Sequence, residues 1–274
     1  MDAMAPIDLI DNERYPIGDL TSLAAQRVID AQRRALAERG VAILPGFVKA
    51  DVIERMAAET LALQPQAFLE DVWGTPYLEV ADESFPEGHP RRALSRSLTY
   101  VVAYDIVPRA VLVRRLYEWD PLMHFVAAIL ERPQLYRMAD PLGALNLAIM
   151  PEEHTQGWHY DNADFVVSLA IQSSARGGHF ECAPFIRSAD DEHYDAVADV
   201  LQGDSGKRLQ IFPMTPGTLM LFTGRHSLHR VSPVAGDVPR LVALFAYDAR
   251  PDANSSELFK YVRYGRATPI ATDG

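Results

Sequence analysis

The spacing of apolar residues changes character near residue 142 of the chain. Upstream, apolar residues recur at helical spacing over Leu20 to Arg39, and Gly40 supplies a stop. Val41 to Leu44, closed by Pro45-Gly46, predicts a strand and a turn. Asp51 to Leu63 again predicts a helix, and Arg109 to Leu130 predicts one or two more.

Downstream of residue 142, short β-rich segments alternate with turn signals such as Gly177-Gly178 and Pro216-Gly217. The predicted strands are Leu145–Met150, Phe165–Gln172, His179–Ala183, Leu209–Phe212, Thr218–Phe222 and Leu241–Tyr247. Helices first and many short strands afterwards predict a mainly β fold, an antiparallel sandwich or barrel with N-terminal helices packed on one side. A Rossmann sheet is not expected, because no predicted strand leads through a glycine-rich phosphate loop into a helix.

The segment from Gln64 to Arg96 is rich in Pro, Gly, Asp and aromatic residues and has no clear period. It predicts a long loop or lid, which in a compact domain is more often functional than idle. The chain shows no internal repeat and no Gly/Ser linker. We therefore expect a single domain over residues 1–274, with a helical part and lid at 1–141 and a β-rich core at 142–274.

Composition narrows the classes of function. Lys and Arg total 26 and Asp and Glu total 37, a net charge of −11. This excess argues against binding to nucleic acid or to an anionic membrane, but it says nothing against a small-molecule substrate, since a local arginine cluster can hold a small anion. The single cysteine, Cys182, excludes an intrachain disulfide and is expected to be buried. Met1 to Arg14 lacks the apolar run of a signal peptide, which predicts a cytoplasmic protein; a homodimer is compatible with the sequence.

The candidate chemistry lies among the histidines, since six of the eight fall between residues 154 and 229. In Trp158-His159-Tyr160-Asp161, residues i and i+2 of a strand point to one face, so His159 and Asp161 can bind one metal ion. His229 is the preferred third ligand. His226 is the alternative, and only one of the two can reach the metal because they face opposite sides of a strand.

An arginine completes the pattern. Arg240 follows His229 by eleven residues, on the next predicted strand. A guanidinium there can bind a carboxylate through two parallel hydrogen bonds. Two histidines and one carboxylate leave open positions on the metal, the arrangement typical of non-haem iron(II) oxygenases.

With these residues in place, the chain resembles the iron(II)/2-oxoglutarate-dependent dioxygenases. The matching elements are His159-x-Asp161, His229-x-Val231-x-Pro233 and Arg240, and the resemblance covers about residues 142 to 248. It implies a double-stranded β-helix (jelly-roll) core preceded by helices. More narrowly, the runs from Gln156 to Asp161 and from Gly177 to Phe185 are similar to the branch of free-amino-acid halogenases and hydroxylases.

The resemblance also implies the co-substrates and the reaction. Iron(II), 2-oxoglutarate and dioxygen would be required, with Arg240 on the distal carboxylate of 2-oxoglutarate and Asn146 as a second contact. The halogenases of this branch have Gly or Ala at the position of Asp161, where chloride binds. The carboxylate here implies hydroxylation or desaturation instead, of an amino acid or an amino-acid-derived metabolite.

Of all parts of the site, the residues that contact the substrate are the least well determined by the sequence. Arg96 is the first candidate for a substrate carboxylate, and Asp140 or Asn162 for an amino group. The competing class is a metal-binding jelly roll without oxygenase activity, such as a cupin-like isomerase or sensor. Cupins usually draw on more histidines and place a glutamate within the motif, and they need no arginine after the last histidine.

Overall fold

A computed structural model describes residues 4–212 and 214–270, so the two ends of the expected 1–274 domain lie outside the described residues. The helices of the described part are α1 (Leu23–Arg39), α2 (Ala50–Ala62), α3 (Leu112–Tyr117), α4 (Asp120–Ile129), α5 (Tyr194–Gln202) and α6 (Glu257–Tyr264). Short 3-10 turns occupy Pro6–Leu9, Gln64–Gln66 and Tyr104–Ile106.

The strands of the described part are short, and most lie beyond residue 142. They are β1 (Val41–Leu44), β2 (Phe68–Gly74), β3 (Ser95–Val102), β4 (Tyr136–Arg137), β5 (Leu145–Met150), β6 (Gln156–His159), β7 (Val166–Gln172), β8 (Arg176–Gly177), β9 (Phe180–Ala183), β10 (Gln210–Phe212), β11 (Leu219–Phe222), β12 (Leu228–Val231), β13 (Val234–Ala235), β14 (Arg240–Phe245) and β15 (Tyr247–Asp248).

Two antiparallel sheets form the core. The major sheet has the strand order β1-β11-β7-β14-β5-β3-β2, and the minor sheet has the order β10-β9-β12-β6. Their inner faces meet, since Met220 and Phe222 of the major sheet pack with Phe180 and Cys182 of the minor sheet. The predicted mainly β fold with a jelly-roll core and helices on one side is confirmed.

The two faces of the major sheet have different roles. On β5 all six residues are buried, because Leu147 and Ile149 face the helices while Asn146 and Met150 face the minor sheet. The helical side carries the main apolar core, with Phe125 of α4 fully buried in it. The inner side accepts polar residues, and we call the space between the two inner faces the chamber.

The helix boundaries follow local capping signals. The first predicted helix begins three residues later than expected, at Leu23, because the Ser22 side chain accepts a hydrogen bond from the backbone N–H of Ala25. It ends where Gly40 adopts a left-handed φ of 68°, as the sequence predicted. Two helices, α3 and α4, occupy the stretch from Arg109 to Leu130.

The predicted long loop or lid over Gln64 to Arg96 is wrong at both ends, because it overlaps two strands. Phe68–Gly74 forms β2, which pairs with β3 at the edge of the major sheet, and the irregular segment is limited to residues 75–94. Charged residues inside β2 obscured the strand pattern. One of them, Glu70, is only 8% exposed, which is unusual for a glutamate on the edge strand of a sheet.

Helix α6 was not predicted, although Ser256 caps its start and Gly265 ends it in a left-handed conformation. It covers the inner face of the major sheet beside the minor sheet. The Tyr264 hydroxyl donates to Asn146 Oδ1 at 2.9 Å, and Tyr264 packs with Val101 of β3. No helix in the described part of the chain has both the length and the apolar character needed to cross a membrane.

Candidate metal centre

The two histidines of the predicted triad are direct neighbours across two strands. In the pairing of β6 with β12, His159 and His229 are Cα partners, and their ring centroids lie 4.2 Å apart. Cross-strand partners point to the same face of a sheet. Both side chains therefore enter the chamber, and the residues are only 7% and 3% exposed.

Backbone carbonyl groups fix the orientation of both rings. His159 Nδ1 lies 2.8 Å from Gly157 O, and His229 Nδ1 lies 2.9 Å from Ser227 O. Each Nδ1–H donates to its carbonyl group, which leaves Nε2 as the lone-pair donor inside the chamber. Burial lowers the pKa of His159 to about 4, and His229 and Arg263 act in the same direction. The imidazole is therefore neutral, as a metal ligand must be.

Asp161 completes the triad immediately after β6. Its Oδ1 is 3.8 Å from His159 Nε2 and its Oδ2 is 3.3 Å from His229 Nε2. The three ligand atoms lie within 4.8 Å of one another. Asp161 Oδ2 is buried and has no hydrogen-bond partner among the described residues, an arrangement that a cation would satisfy. The donor set of two imidazoles and one carboxylate fits iron(II).

Gly224 makes room for this carboxylate. Its carbonyl group accepts a hydrogen bond from the Asp161 backbone N–H at 3.1 Å. A Cβ atom at residue 224 would lie 2.7 Å from Asp161 Cγ, closer than such atoms approach. The sequence contains no signal for this contact, because the two residues are far apart in the chain.

Arg240 enters the chamber from the major sheet and is 7% exposed. Its Nη1 contacts Met150 Sδ at 3.6 Å, and no carboxylate of the described residues pairs with it. Burial lowers its pKa to about 10, so the guanidinium stays cationic at neutral pH. Met150 also packs against Val231, which lies two residues beyond His229 on the same face. A buried, unpaired cation beside the triad fits the distal carboxylate of 2-oxoglutarate.

Other predicted residues have different positions. Asn146 lies on the inner face, but its amide is engaged, donating to Leu142 O at 3.0 Å and accepting from Tyr264. His226 lies in the turn before β12 and is not part of the triad.

The three substrate candidates are not gathered at the triad. Arg96 is on the outer face of β3, which it shares with Tyr100, the cross-strand partner of Ile149. It forms a half-exposed ion pair with Asp71 at 2.7 Å. Asp140 is fully buried and pairs with Lys260 of α6 at 3.4 Å. Asn162 follows Asp161 but its side chain is exposed.

Two features near the triad were missed by sequence reasoning. Gln156 Nε2 lies 3.4 Å from His159 Nε2, so its amide reaches the metal-facing side of the ring. Glu70 of β2 and Arg263 of α6 form a buried ion pair at 2.6 Å. A capping signal at Ser256 could have revealed the helix, but nothing in the sequence places Arg263 opposite Glu70.

Comparison with known proteins agrees with the geometry. The family described as HalD, Halogenase D, matches residues 24–260. Similar solved structures include a 2OG-Fe(II) oxygenase family oxidoreductase from Burkholderia pseudomallei, with 16% identity, a TM-score of 0.53 and coverage of 82% of this chain and 93% of that one. AviO1 from Streptomyces viridochromogenes Tue57 gives 15% identity, a TM-score of 0.55 and coverages of 82% and 96%.

A third structure is the epimerase SnoN from nogalamycin biosynthesis, in complex with Fe³⁺, alpha ketoglutarate and nogalamycin RO. It gives 11% identity, a TM-score of 0.54 and coverages of 90% and 97%. No curated protein sequence matches the chain significantly.

The jelly-roll core and the triad of His159, Asp161 and His229 define a non-haem iron(II)- and 2-oxoglutarate-dependent oxygenase. Within that class, the chain belongs to the Halogenase D family. The cupin-like alternative is not supported by this membership.

We predict that His159→Ala or His229→Ala abolishes stoichiometric iron(II) binding, because two remaining ligands hold the ion poorly. Anaerobic equilibrium dialysis with iron(II) measures the loss. His226→Ala is the matched control and should bind iron as the unmodified protein does. Loss of binding in His226→Ala with retention in His229→Ala would contradict the triad.

Gly224→Ala should also weaken iron binding by about tenfold or more, because the new methyl group displaces the Asp161 carboxylate. Gly74→Ala is the control, since a Cβ there meets only ordinary contacts, the nearest at 3.8 Å. The same dialysis applies to both variants. Equal iron affinity in the two would show that the carboxylate does not need the space at residue 224.

Proposed function

We propose that this protein hydroxylates or desaturates a free amino acid or an amino-acid-derived metabolite, consuming 2-oxoglutarate and dioxygen. The observation that carries the proposal is the Asp161 carboxylate, which completes the metal triad in a member of the Halogenase D family. The resemblance of the Gln156–Asp161 run to free-amino-acid hydroxylases and halogenases supports the substrate class.

The chain's own residues would hold and orient the reactants. His159, Asp161 and His229 would bind iron(II), which supplies the activation of dioxygen for attack on a substrate C–H bond. Arg240 would bind the distal carboxylate of 2-oxoglutarate, and its apolar surroundings at Met150 and Val231 would strengthen that charge pair.

Aromatic side chains in the chamber shield the His229 side of the triad from water. The rings of Phe222 and Phe180 lie 4.9 Å and 5.7 Å from the ring of His229. Both phenylalanines are less than 5% exposed. Such shielding would limit the side reactions of a reactive oxidant with solvent.

Hydroxylation is favoured over halogenation by ligand count. An iron(II) ion held by the two histidines and the carboxylate would keep only the open positions that 2-oxoglutarate and dioxygen need. A halide would have to displace one of these ligands. The branch members that halogenate have Gly or Ala where this chain has Asp161. This one residue is the reason why the reaction proposed for this chain differs from the halogenation in the family's description.

We expect Arg240→Met to raise the apparent KM for 2-oxoglutarate by at least about 30-fold, because a buried carboxylate that loses its charged partner costs about 2–5 kcal/mol. Succinate formation at varied 2-oxoglutarate concentration measures the change. Arg230→Met is the matched control, since Arg230 faces outward from β12 and pairs with Glu181 at 2.7 Å. An unchanged KM in Arg240→Met would remove Arg240 from the site.

The product formed in excess chloride should contain oxygen or a new double bond and no chlorine, because Asp161 occupies the position a halide needs. Mass spectrometry of reactions run with and without chloride decides this point. Product with a chlorine isotope pattern from the unmodified enzyme would overturn the proposed reaction.

A further inference from the structure

A second charged pair lies in the chamber besides the triad and Arg240. Glu70 belongs to the inner face of β2: its Cα partner is Thr99, which shares a face with Val101, and Val101 pairs with Ala148 of β5. Arg263 reaches it from α6, with Nη1 at 2.6 Å from Glu70 Oε2. The two side chains are only 10% and 11% exposed.

This pair is close to the metal ligands. The Arg263 guanidinium contributes to the lowering of the pKa of His159, after burial and His229, and the charge of Asp161 helps to raise the pKa of Arg263. Strand β3, which lies beside β2, also touches the metal strand, since Ser97 Oγ accepts from the Gly157 N–H at 3.1 Å. The pair and the triad therefore share one chamber.

The pair has unused hydrogen-bonding capacity. Glu70 Oε2 accepts from Arg263 Nη1, whereas no described residue donates to Glu70 Oε1. Of the described carboxylates, only Glu70 forms an ion pair with Arg263, and a guanidinium carries further N–H donors in a planar fork. Arg263 also hydrogen-bonds the Tyr264 side chain, and its other N–H groups and Glu70 Oε1 remain for a ligand.

Stability alone does not account for the pair. Replacing a buried ion pair by apolar residues of similar volume is often neutral or stabilising, because both charges lose their hydration. Helix α6 already has other anchors: Lys260 pairs with Asp140, and Tyr264 donates to Asn146. Arg266, just after the helix, pairs with Asp105 at 2.8 Å.

We propose that Glu70 and Arg263 bind the zwitterionic head group of the substrate, with Glu70 receiving the ammonium group and Arg263 the carboxylate. The proposal rests on the amino-acid substrate class proposed above. It replaces Arg96 as the carboxylate anchor, since Arg96 lies on the outer face of β3.

The charge balance of the chamber supports a ligand of zero net charge. The positive charges of Arg240 and Arg263 cancel the negative charges of Asp161 and Glu70. The charges of iron(II) and 2-oxoglutarate cancel each other. A zwitterion preserves this balance in a site where an uncompensated charge is costly. It also presents one cation and one anion to a pair that offers one of each.

The test uses the protein loaded anaerobically with iron(II) and 2-oxoglutarate. Appearance of the metal-to-ligand charge-transfer band on adding 2-oxoglutarate tests the proposed function by itself. The free proteinogenic L-amino acids are then added singly, and the one that shifts the band at the lowest concentration is compared with its desamino and carboxamide analogues. We expect the unmodified protein to bind the parent at least about tenfold more tightly than either analogue.

Glu70→Gln should remove the discrimination against the desamino analogue and keep that against the carboxamide, whereas Arg263→Gln should do the reverse. Asp105→Asn is the matched control, because it breaks the ion pair of Arg266 in the same part of the chain, and it should leave both discriminations intact. Thermal unfolding of each iron-free variant reports any loss of stability separately.

Two results would overturn the proposal. If Glu70→Gln and Arg263→Gln lower the unfolding temperature but weaken the parent and its analogues equally, the pair only fastens α6 to β2. If a charge-transfer band forms but no amino acid shifts it, the zwitterion assignment fails while the oxygenase assignment stands. If no band forms at all, the proposed function itself fails.

Discussion

The register between β6 and β12 is the constraint on which the site depends. Because His159 and His229 are direct cross-strand partners, a slip of one residue would turn one imidazole to the outer face of the minor sheet. The outer face already holds the Arg230–Glu181 ion pair, with the Arg230 guanidinium 4.6 Å from the centre of the Trp158 ring. Favourable contacts on both faces therefore select the same register.

The polar chamber is possible because the stability of the fold is provided elsewhere. The major apolar core lies between the helices and the outer face of the major sheet, and its buried residues lie between Leu9 and Tyr247 in the chain. This core leaves the inner face of the same strands free to carry Arg240, Asn146 and Glu70. Burying such groups is unfavourable on its own, and the large apolar contact behind them offsets that cost.

The sequence was sufficient to predict the structure wherever the spacing of residues along the chain determines the local geometry. His159 and Asp161 are two residues apart, and the strands of the core alternate with clear turn signals, so the fold class and this part of the triad could be predicted. Glu70 and Arg263 could not, because they are 193 residues apart and meet only through the packing of α6 on β2. The position of Arg96 could not be predicted for a related reason: the face to which a strand residue points depends on the pairing register, and that register is set by distant partners.

The close contact between Gly224 and Asp161 makes loss of the carboxylate in this chain easier than its return. Loss of the carboxylate at residue 161 takes a single substitution and empties the space against Gly224. Without the carboxylate, this contact would no longer require a glycine at residue 224, and a larger side chain there would close the space. Return of the carboxylate then requires two substitutions, one at residue 224 and one at residue 161, and the first of them alone does not restore the iron ligand. Loss of the third iron ligand is thus far easier to acquire than to reverse.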